Sequence, residues 1–484
     1  MLTIENTDPP RAKALSLALG PLAAAVMLVA GAPEGMPPAA WHAATVAVLM
    51  AAWWIAEPVP LAVTALLPLV LFPPLGIGGI EKVAPAYADP LILLFLGGFI
   101  LAAAMQQHGL HRWLALRLLR LGGRTPAAMI ASMMGATALL SMWVSNTATA
   151  MVMLPIGQSL VEGMRESHGR SDPSRLGQLP SALILAIAYA ATIGGMATLV
   201  GTPPNALFAS YMQKAHGISI GFAEWLLVGF PVVLVLLPVT WLVLTRIAFI
   251  VPKDIRFDVA SVHDPGPLSR PQKLVALVLL ATAAAWICRP LLAGLLPGLA
   301  LSDAGIALVG VIVLFILPSD WSRRNPLLSW SDLKGVRWDV LILFGGGLAL
   351  AEAIAATGLA HALGQLFHAL GARPTWLLVL ALVTVIVYLG ELASNTAIAA
   401  IFLPVAGAAA IGLGAPPLAL ALPVAMAASL GFMLPVATPP NAIVYGSGLV
   451  TSRQMLRAGA ILDIVTIPIV ALLAMLIGPL LAPA

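Results

Sequence analysis

Two short patterns, each written twice, carry the polar chemistry of this 484-residue chain. Ser145-Asn146-Thr147 recurs as Ser394-Asn395-Thr396, and Thr202-Pro203-Pro204-Asn205-Ala206 recurs as Thr438-Pro439-Pro440-Asn441-Ala442. Paired prolines lack amide donors and clash with the preceding turn, so each pair must interrupt its helix. The interruption frees carbonyls at Gly201 and Ala437, which with the asparagine side-chain oxygens are hard ligands for a small cation. It also frees N–H groups at the helix starts that follow and at the Ser-Asn-Thr turns, where an anion is favoured. Neither tripeptide has a Lys or Arg beside it. An anion held there would be neutralised mainly by helix ends and co-bound cations. At an effective dielectric near 20, a unit charge ~5 Å away contributes about 3 kcal/mol. Two such cations beside a divalent anion would offset much of its desolvation and couple the two bindings.

The elements that must position these residues are membrane helices. Hydrophobic residues make up 60% of the chain, charged residues 9%, and the mean hydropathy is +1.00. That leaves too little polar surface to cover a water-facing globule. Runs long enough to cross a ~30 Å hydrocarbon layer fall near 14–31, 41–56, 59–77, 90–107, 181–200, 224–250, 273–296, 304–318, 338–358, 417–436 and 457–481, giving eleven crossings. The first follows Glu5, Asp8, Arg11 and Lys13, lacks an A-x-A-like processing site, and reads as a retained helix. Two further runs, about 126–160 and 374–411, are too long for one span and carry the Ser-Asn-Thr tripeptides in their middles. Each is a re-entrant hairpin or a pair of full spans, and both return the chain to the side it left.

Charge orients the scheme. With the N-terminus cytoplasmic, 20 of the 24 Lys and Arg fall on the cytoplasmic side, among them Arg112, Arg117, Arg120, Arg124, Arg170, Arg175, Lys253, Arg256, Arg323 and Arg324. Lys82, Lys214, Arg289 and Arg373 remain outside. This is the cytoplasmic excess of positive charge that sets topology, and it places the C-terminus in the periplasm.

The chain repeats itself at an offset of 249 residues. Leu94-Phe95 aligns with Leu343-Phe344, Gly97-Gly98 with Gly346-Gly347, Gly109-Leu110 with Gly358-Leu359, Gly122 with Gly371, and Arg124 with Arg373. The Thr-Pro-Pro-Asn copies follow at an offset of 236, shortened by the extra loop around Glu166 to Gly177. The two hairpins would open from opposite sides, so the repeats are inverted. Inverted repeats with matching broken helices mark secondary transporters with a midplane site. The expected organisation is N-terminal scaffold helices over 1–88 and a first repeat over 89–250, with hairpin 126–160 and broken helix 181–213. Linker and scaffold helices over 251–337 lead to a second repeat over 338–484, with hairpin 374–411 and broken helix 417–449.

Other chemistries find little support. Cys288 is the single cysteine, which excludes internal disulfides and cysteine metal clusters. The eight histidines form no H-E-x-x-H pattern, and no G-x-x-x-x-G-K-[ST] loop occurs. A net charge of +4 on a charge-poor chain gives no basic surface for nucleic acid. An anion channel is the competing class, and the inverted repeat argues against it. Intramembrane carboxylates are functional candidates by default. Glu391 could tune a cation site, carry a proton or cap backbone amides inside the hairpin. Glu352, matched by Ala103 in the repeat, reads as structural, and Asp463 as a buried polar contact. The stretch His111 to Arg124 reads as an interfacial amphipathic helix.

At these motifs the sequence resembles the divalent anion/sodium symporter family, over essentially the whole chain. The resemblance implies an all-α polytopic membrane protein of about eleven transmembrane helices plus two re-entrant hairpins. It also implies a homodimer in the bacterial inner membrane, with a scaffold domain and a transport domain that moves as an elevator. Amphipathic arms, His111 to Gly122 and Leu359 to Leu370, would link the domains. Ser145, Asn146, Thr147, Ser394, Asn395 and Thr396 would contact the substrate carboxylates, with Thr438, Pro439, Thr202 and Pro203 adding contacts from the breaks. One sodium ion would sit among Ser141, Ser145, Asn146 and Gly201, and a second among Gly390, Ala393, Asn395 and Ala437. Sodium-coupled bacterial members resemble Thr-Glu-x-x-Ser-Asn-Thr in the second hairpin, whereas this chain has Gly390 in place of the Thr. The implied activity is sodium-coupled symport of C4-dicarboxylates such as succinate, malate and fumarate. Alternatives are sodium-independent exchange, proton coupling, or citrate or sulfate as substrate.

Overall fold

The computed structural model describes residues 10–123, 125–166, 176–252, 264–295, 298, 300–320, 325–369 and 374–481. Glu5, Asp8, Arg124, Arg170, Arg175, Lys253, Arg256, Arg323, Arg324, Leu370, Gly371 and Arg373 lie outside the described residues, as do the side chains of Arg11 and Lys13. The chain opens with α1 (Pro10–Ala30) and α2 (Pro38–Ala56), packed on each other. The run expected to be one crossing at 59–77 is instead two short helices, α3 (Leu61–Thr64) and α4 (Leu67–Leu71). Pro60, Pro68, Pro73 and Pro74 leave no longer uninterrupted stretch. After the single turn α5 (Ile80–Val83), Asp89 caps α6 (Pro90–Gln107) by accepting the Leu91 amide. The amphipathic α7 (Leu110–Arg120) follows, with Arg120 paired to Asp264 and Trp113 Nε1 donating to the Gly266 carbonyl.

The first half continues with α8 (Pro126–Ser141), α9 (Asn146–Met164), α10 (Leu179–Gly195), α11 (Pro203–His216) and α12 (Phe222–Leu242). Two helices, α13 (Arg270–Leu295) and α14 (Asp303–Ile316), separate the halves. A two-stranded ribbon, Pro318–Asp320 with Asn325–Pro326, departs from the all-α expectation. The second half comprises α15 (Trp338–Ala356), α16 (Leu359–Ala369), α17 (Thr375–Gly390), α18 (Asn395–Gly412), α19 (Leu418–Ala427), α20 (Pro439–Gly446) and α21 (Ser452–Ile477). Among the described residues, seven helical segments are long and apolar enough to cross a membrane. Shorter apolar helices, such as Ala14–Ala30 and Asp303–Ile316, stand where other crossings are expected.

The centre of the molecule is α10, buried from Ser181 to Gly195, with α19 its counterpart in the second half. Each helical hairpin packs against the first piece of its own broken helix: α8 and α9 on α10, α17 and α18 on α19. The second pieces cross over. α20 packs along α9, and α11 packs along α18. Both breaks are thereby brought against both hairpins.

Candidate functional site

Each turn and break is a consequence of local sequence. α8 ends at Ser141 and α9 starts after Ser145, which is extended (φ −54°, ψ 145°) and accepts the Ala148 amide at 3.4 Å. Ser394 occupies the same position before α18 (φ −58°, ψ 129°), but its hydroxyl makes no capping bond. In the broken helices the prolines begin the second piece: α11 starts at Pro203 and α20 at Pro439. There the missing amide costs nothing and φ is preset. Thr438 accepts the Asn441 amide at 3.3 Å, whereas the Thr202 hydroxyl makes no capping bond.

In the first half three of the four expected cation residues, Ser141, Asn146 and Gly201, lie together, while the Ser145 hydroxyl is spent on the Ala148 amide. The Ser141 hydroxyl lies 2.7 Å from Asn146 Oδ1 and 2.6 Å from the Ala191 carbonyl oxygen. Its single hydrogen can be donated to only one of them. A Cβ built on Gly195 would overlap Asn146 Oδ1 and lie 3.1 Å from the Gly201 carbonyl oxygen, so these two oxygens share the space that glycine leaves. Gly201 itself lies against the Gly195 carbonyl. Asn205, 1% exposed, braces the unwound segment by donating to the carbonyls of Thr198 (2.8 Å), Gly195 (3.2 Å) and Met196 (3.3 Å). Its Oδ1 has no partner. Oxygens that outnumber the hydrogens between them, in a dry site, fit a bare hard cation. Ser141, Asn146 and Gly201 would hold it, joined by the carbonyls of Ala191 and Gly195, which the sequence did not mark.

The second half is built on the same frame with different atoms. Asn441 donates to the carbonyls of Leu434 (3.0 Å) and Gly431 (3.2 Å), and its Oδ1 again lacks a partner. Asn395 Oδ1 is buried with no donor, which is the condition for a cation ligand. A Cβ on Gly390 would lie 3.5 Å from the Leu430 carbonyl oxygen and 3.9 Å from Asn395 Oδ1. Gly390, Asn395 and Leu430 are therefore neighbours. Ala437 lies beside Gly431, and Ala393 is buried at the end of the turn. Of the expectations for Glu391, backbone capping is realised, though on the broken helix rather than inside the hairpin. Oε1 accepts the amides of Phe432 (2.6 Å) and Met433 (3.0 Å), and Oε2 that of Leu434 (2.9 Å). Asp463 is the buried polar contact expected of it: it is 0% exposed and meets the Glu391 carboxyl.

Ser145 also lines a cavity of about 270 Å³, with Phe99, Ala102, Gln106, Asp332 and Arg337 on its walls. Its mouth carries charge of both signs. Arg337 is held in a two-pronged pair with Asp339 (2.9 and 2.8 Å). Hydrogen bonds from the Ser329 hydroxyl and amide keep the Asp332 carboxyl below the usual carboxylate range. Ser145 and Thr147 are half-buried and Thr396 is buried, while Pro203 is half-buried and Pro439 exposed. At another edge, Lys214 joins α11 to Asp89 (3.3 Å) and to Glu352 on α15 (2.6 Å), which accounts for Glu352 structurally. Arg289 joins Asp303 (2.7 Å) and Glu224 (3.3 Å).

Helical hairpins closed on two broken helices, with irregular backbone in the protein interior, define a polytopic membrane transporter. More specifically, the chain belongs to the family described as the sodium:sulfate symporter transmembrane region, which matches residues 12–483. It is 36% identical over 483 residues to the sodium-dependent dicarboxylate transporter SdcS of Staphylococcus saprophyticus, covering 98% of this chain and 93% of that protein. The SdcS of Staphylococcus aureus strain USA300 is also 36% identical, over 474 residues, covering 96% and 91%. Two solved structures share the fold. The Alcanivorax borkumensis YdaH transporter has a TM-score of 0.58 at 17% identity, over 82% of this chain and 87% of that one. Neisseria gonorrhoeae MtrF has a TM-score of 0.53 at 12% identity, over 93% and 97%.

Proposed function

We propose that the protein is a secondary active transporter that carries sodium and a C4-dicarboxylate such as succinate, malate or fumarate together across the bacterial inner membrane. The observation that carries this reading is the pair of oxygen-rich, hydrogen-poor clusters at the two Ser-Asn-Thr turns. Family membership and the SdcS relatives, named as sodium-dependent dicarboxylate transporters, agree with it. Sodium is the co-transported ion. One ion sits among Ser141, Ser145, Asn146 and Gly201, and a second among Gly390, Ala393, Asn395 and Ala437. The substrate carboxylates are met by Ser145, Asn146, Thr147, Ser394, Asn395 and Thr396, with Thr202, Pro203, Thr438 and Pro439 at the breaks. The free hydroxyls of Ser394 and Thr202 support this assignment, since neither is spent on a helix cap. Two bound cations neutralise the divalent anion, so neither partner binds well alone.

The Lys and Arg distribution supports a cytoplasmic side for the Gln106 and Arg337 end of the cavity, with a cytoplasmic N-terminus and a periplasmic C-terminus. The molecule is then open inward, and the Lys214 and Arg289 pairs close the periplasmic side. The hairpins, the broken helices, α12 and α21 form the transport domain. It moves as an elevator against the scaffold, in a homodimer of inverted repeats linked by α7 and α16.

The test is labelled succinate uptake into proteoliposomes of the purified protein, under an inward sodium gradient, a potassium gradient, or internal succinate without sodium. Accumulation only with sodium is expected. Uptake driven by internal succinate alone would make the protein an exchanger instead. No succinate flux in any condition would overturn the substrate assignment in favour of citrate or sulfate. Asn146→Ala and Asn395→Ala should each abolish uptake while leaving the protein assembled, and wild-type uptake by either would sink the site assignment.

A further inference from the structure

The second piece of the first broken helix ends in an ion cluster that its repeat counterpart lacks. α11 runs for 14 residues, from Pro203 to His216, whereas α20 stops after 8, at Gly446. The extra length carries Lys214, whose Nζ lies 3.3 Å from Asp89 and 2.6 Å from Glu352. One turn earlier, on the same face of α11, the Ser210 hydroxyl donates to Asp89 Oδ1 at 3.2 Å. None of these groups recurs in the second half. Ser210 is matched by Gly446 at the 236-residue offset, and Asp89 and Glu352 are matched by Trp338 and Ala103 at the 249-residue offset.

The cluster joins parts that the proposed cycle moves past one another. α11 packs on α18 and α19 of the transport domain, while Asp89 caps α6 and Glu352 stands on α15, both in the scaffold. Asp89 is 5% exposed, so it is not the solvated surface charge whose pairing is worth little. Ser210 and Lys214 reach it from α11, and the Leu91 amide reaches it from its own helix. Sliding α11 away removes the first two together and leaves a buried carboxylate with a single amide, which is strongly unfavourable. The described ion pairs on the cytoplasmic side are local by contrast. Arg165 meets Glu162 on the same helix, Arg337 meets Asp339 two residues on, and Arg120 of α7 meets Asp264 before α13. An inverted repeat offers a mirror position at the other face, where a matching cluster would balance this one. That position holds Gly446, Trp338 and Ala103 instead.

We propose that Lys214 is a positioning residue of the transport cycle, a latch between transport domain and scaffold that favours the inward-open state and thereby weakens the affinity seen from outside. The proposal rests on the transport reading above. A ligand that binds only a fraction of the molecules has its apparent affinity reduced by that fraction. Weakening the latch lets the empty protein face outward more of the time, so the half-saturating concentrations at the two faces move in opposite senses.

The experiment measures half-saturating succinate in right-side-out and inside-out membrane vesicles, with sodium saturating on the side of addition, for the wild type, Lys214→Met, Lys214→Arg and Glu352→Gln. Lys214→Met should raise the ratio of the cytoplasmic to the external value several-fold. Glu352→Gln, which keeps the Asp89 pair, should raise it less, and Lys214→Arg should stay near the wild type. An unchanged ratio in Lys214→Met would overturn the proposal, because a merely structural loss lowers the amount of active protein without favouring either face. If Lys214→Met fails to assemble, Glu352→Gln decides alone, and an unchanged ratio there overturns the latch. Absence of sodium-driven succinate uptake in the wild type is a separate result, and removes the underlying transport reading along with this latch.

Discussion

The two halves of the molecule tie the hairpin turn to the broken helix at the same pair of positions, with backbone and side chain exchanged. In the first half the Thr198 hydroxyl donates to the Met142 carbonyl at 2.6 Å. In the second, the Leu434 amide donates to the Glu391 carboxylate at 2.9 Å. Met142 and Glu391 are repeat partners at the 249-residue offset, and Thr198 and Leu434 at the 236-residue offset. The geometry of the tie has been kept while its chemistry changed. One half is compact and neutral, closed by hydroxyls over glycines. The other is roomier and holds carboxylates.

The sharpest way to break this comparison is at Gly195 and its repeat partner Gly431. A Cβ on Gly195 would overlap Asn146 Oδ1, whereas one on Gly431 would meet Ala437 Cβ at 3.4 Å, Thr438 Cγ2 at 3.6 Å and Glu391 Oε1 at 3.8 Å. Gly195→Ala should abolish sodium-driven uptake, and Gly431→Ala should leave most of it, because 3.4 Å and beyond is ordinary contact. Uptake by purified variants of equal thermal stability decides the matter. Wild-type activity in Gly195→Ala would show that Asn146 and Gly201 do not enclose a cation.

Next in size is Glu391→Gln. The amide replaces one accepting oxygen by a donor that faces backbone N–H groups, so at least one buried amide loses its partner. With charge-assisted bonds at about 1.5–3 kcal/mol each, a loss of about 3 kcal/mol of stability is expected, read as a lowered midpoint of thermal unfolding in detergent. Met142→Gln should cost far less, because the acceptor there is a backbone carbonyl that the substitution leaves in place. Equal losses at the two positions would refute the exchange of roles.

A smaller effect belongs to the other end of the tie. Thr198→Val removes the hydroxyl and should cost about 1 kcal/mol, with Thr198→Ser restoring it. Leu434→Val should leave its tie intact, because a backbone amide makes it. Thermal midpoints for the three variants check the order.

Much of this frame was legible before any coordinates. Ser-Asn-Thr and Thr-Pro-Pro-Asn announce themselves by residue type and by recurrence at fixed offsets, and the structure puts them at N-caps and helix breaks as those residue types require. The carbonyls of Ala191, Gly195 and Leu430 were not legible, because every residue has a carbonyl and only the folded path decides which ones face the hairpin turns. Glu391 was visible as an intramembrane carboxylate, yet its three amides lie 41 to 43 residues away on another element. The single run expected at 59–77 came out in two short pieces because hydropathy counts apolar residues and ignores what proline does to a helix.

The smallest predicted effect restores symmetry rather than breaking it. Gly390 is the repeat partner of Ser141, so the second cluster lacks the hydroxyl that the first one places beside its asparagine. The space for it exists, since a Cβ there would sit 3.5 Å from the Leu430 carbonyl oxygen and 3.9 Å from Asn395 Oδ1. Gly390→Thr also replaces a flexible residue at a helix end by one with fewer unfolded conformations. Its hydroxyl adds a hard oxygen beside Asn395 Oδ1, which has no donor. The half-saturating sodium concentration for succinate uptake should therefore fall by a few-fold, equivalent to somewhat under 1 kcal/mol, with the maximal rate little changed. Weaker sodium activation in this variant would mean that the second cluster is tuned to the open space at Gly390. In that case the difference between the halves would be a requirement of the second site, and the first cluster would be the wrong template for it.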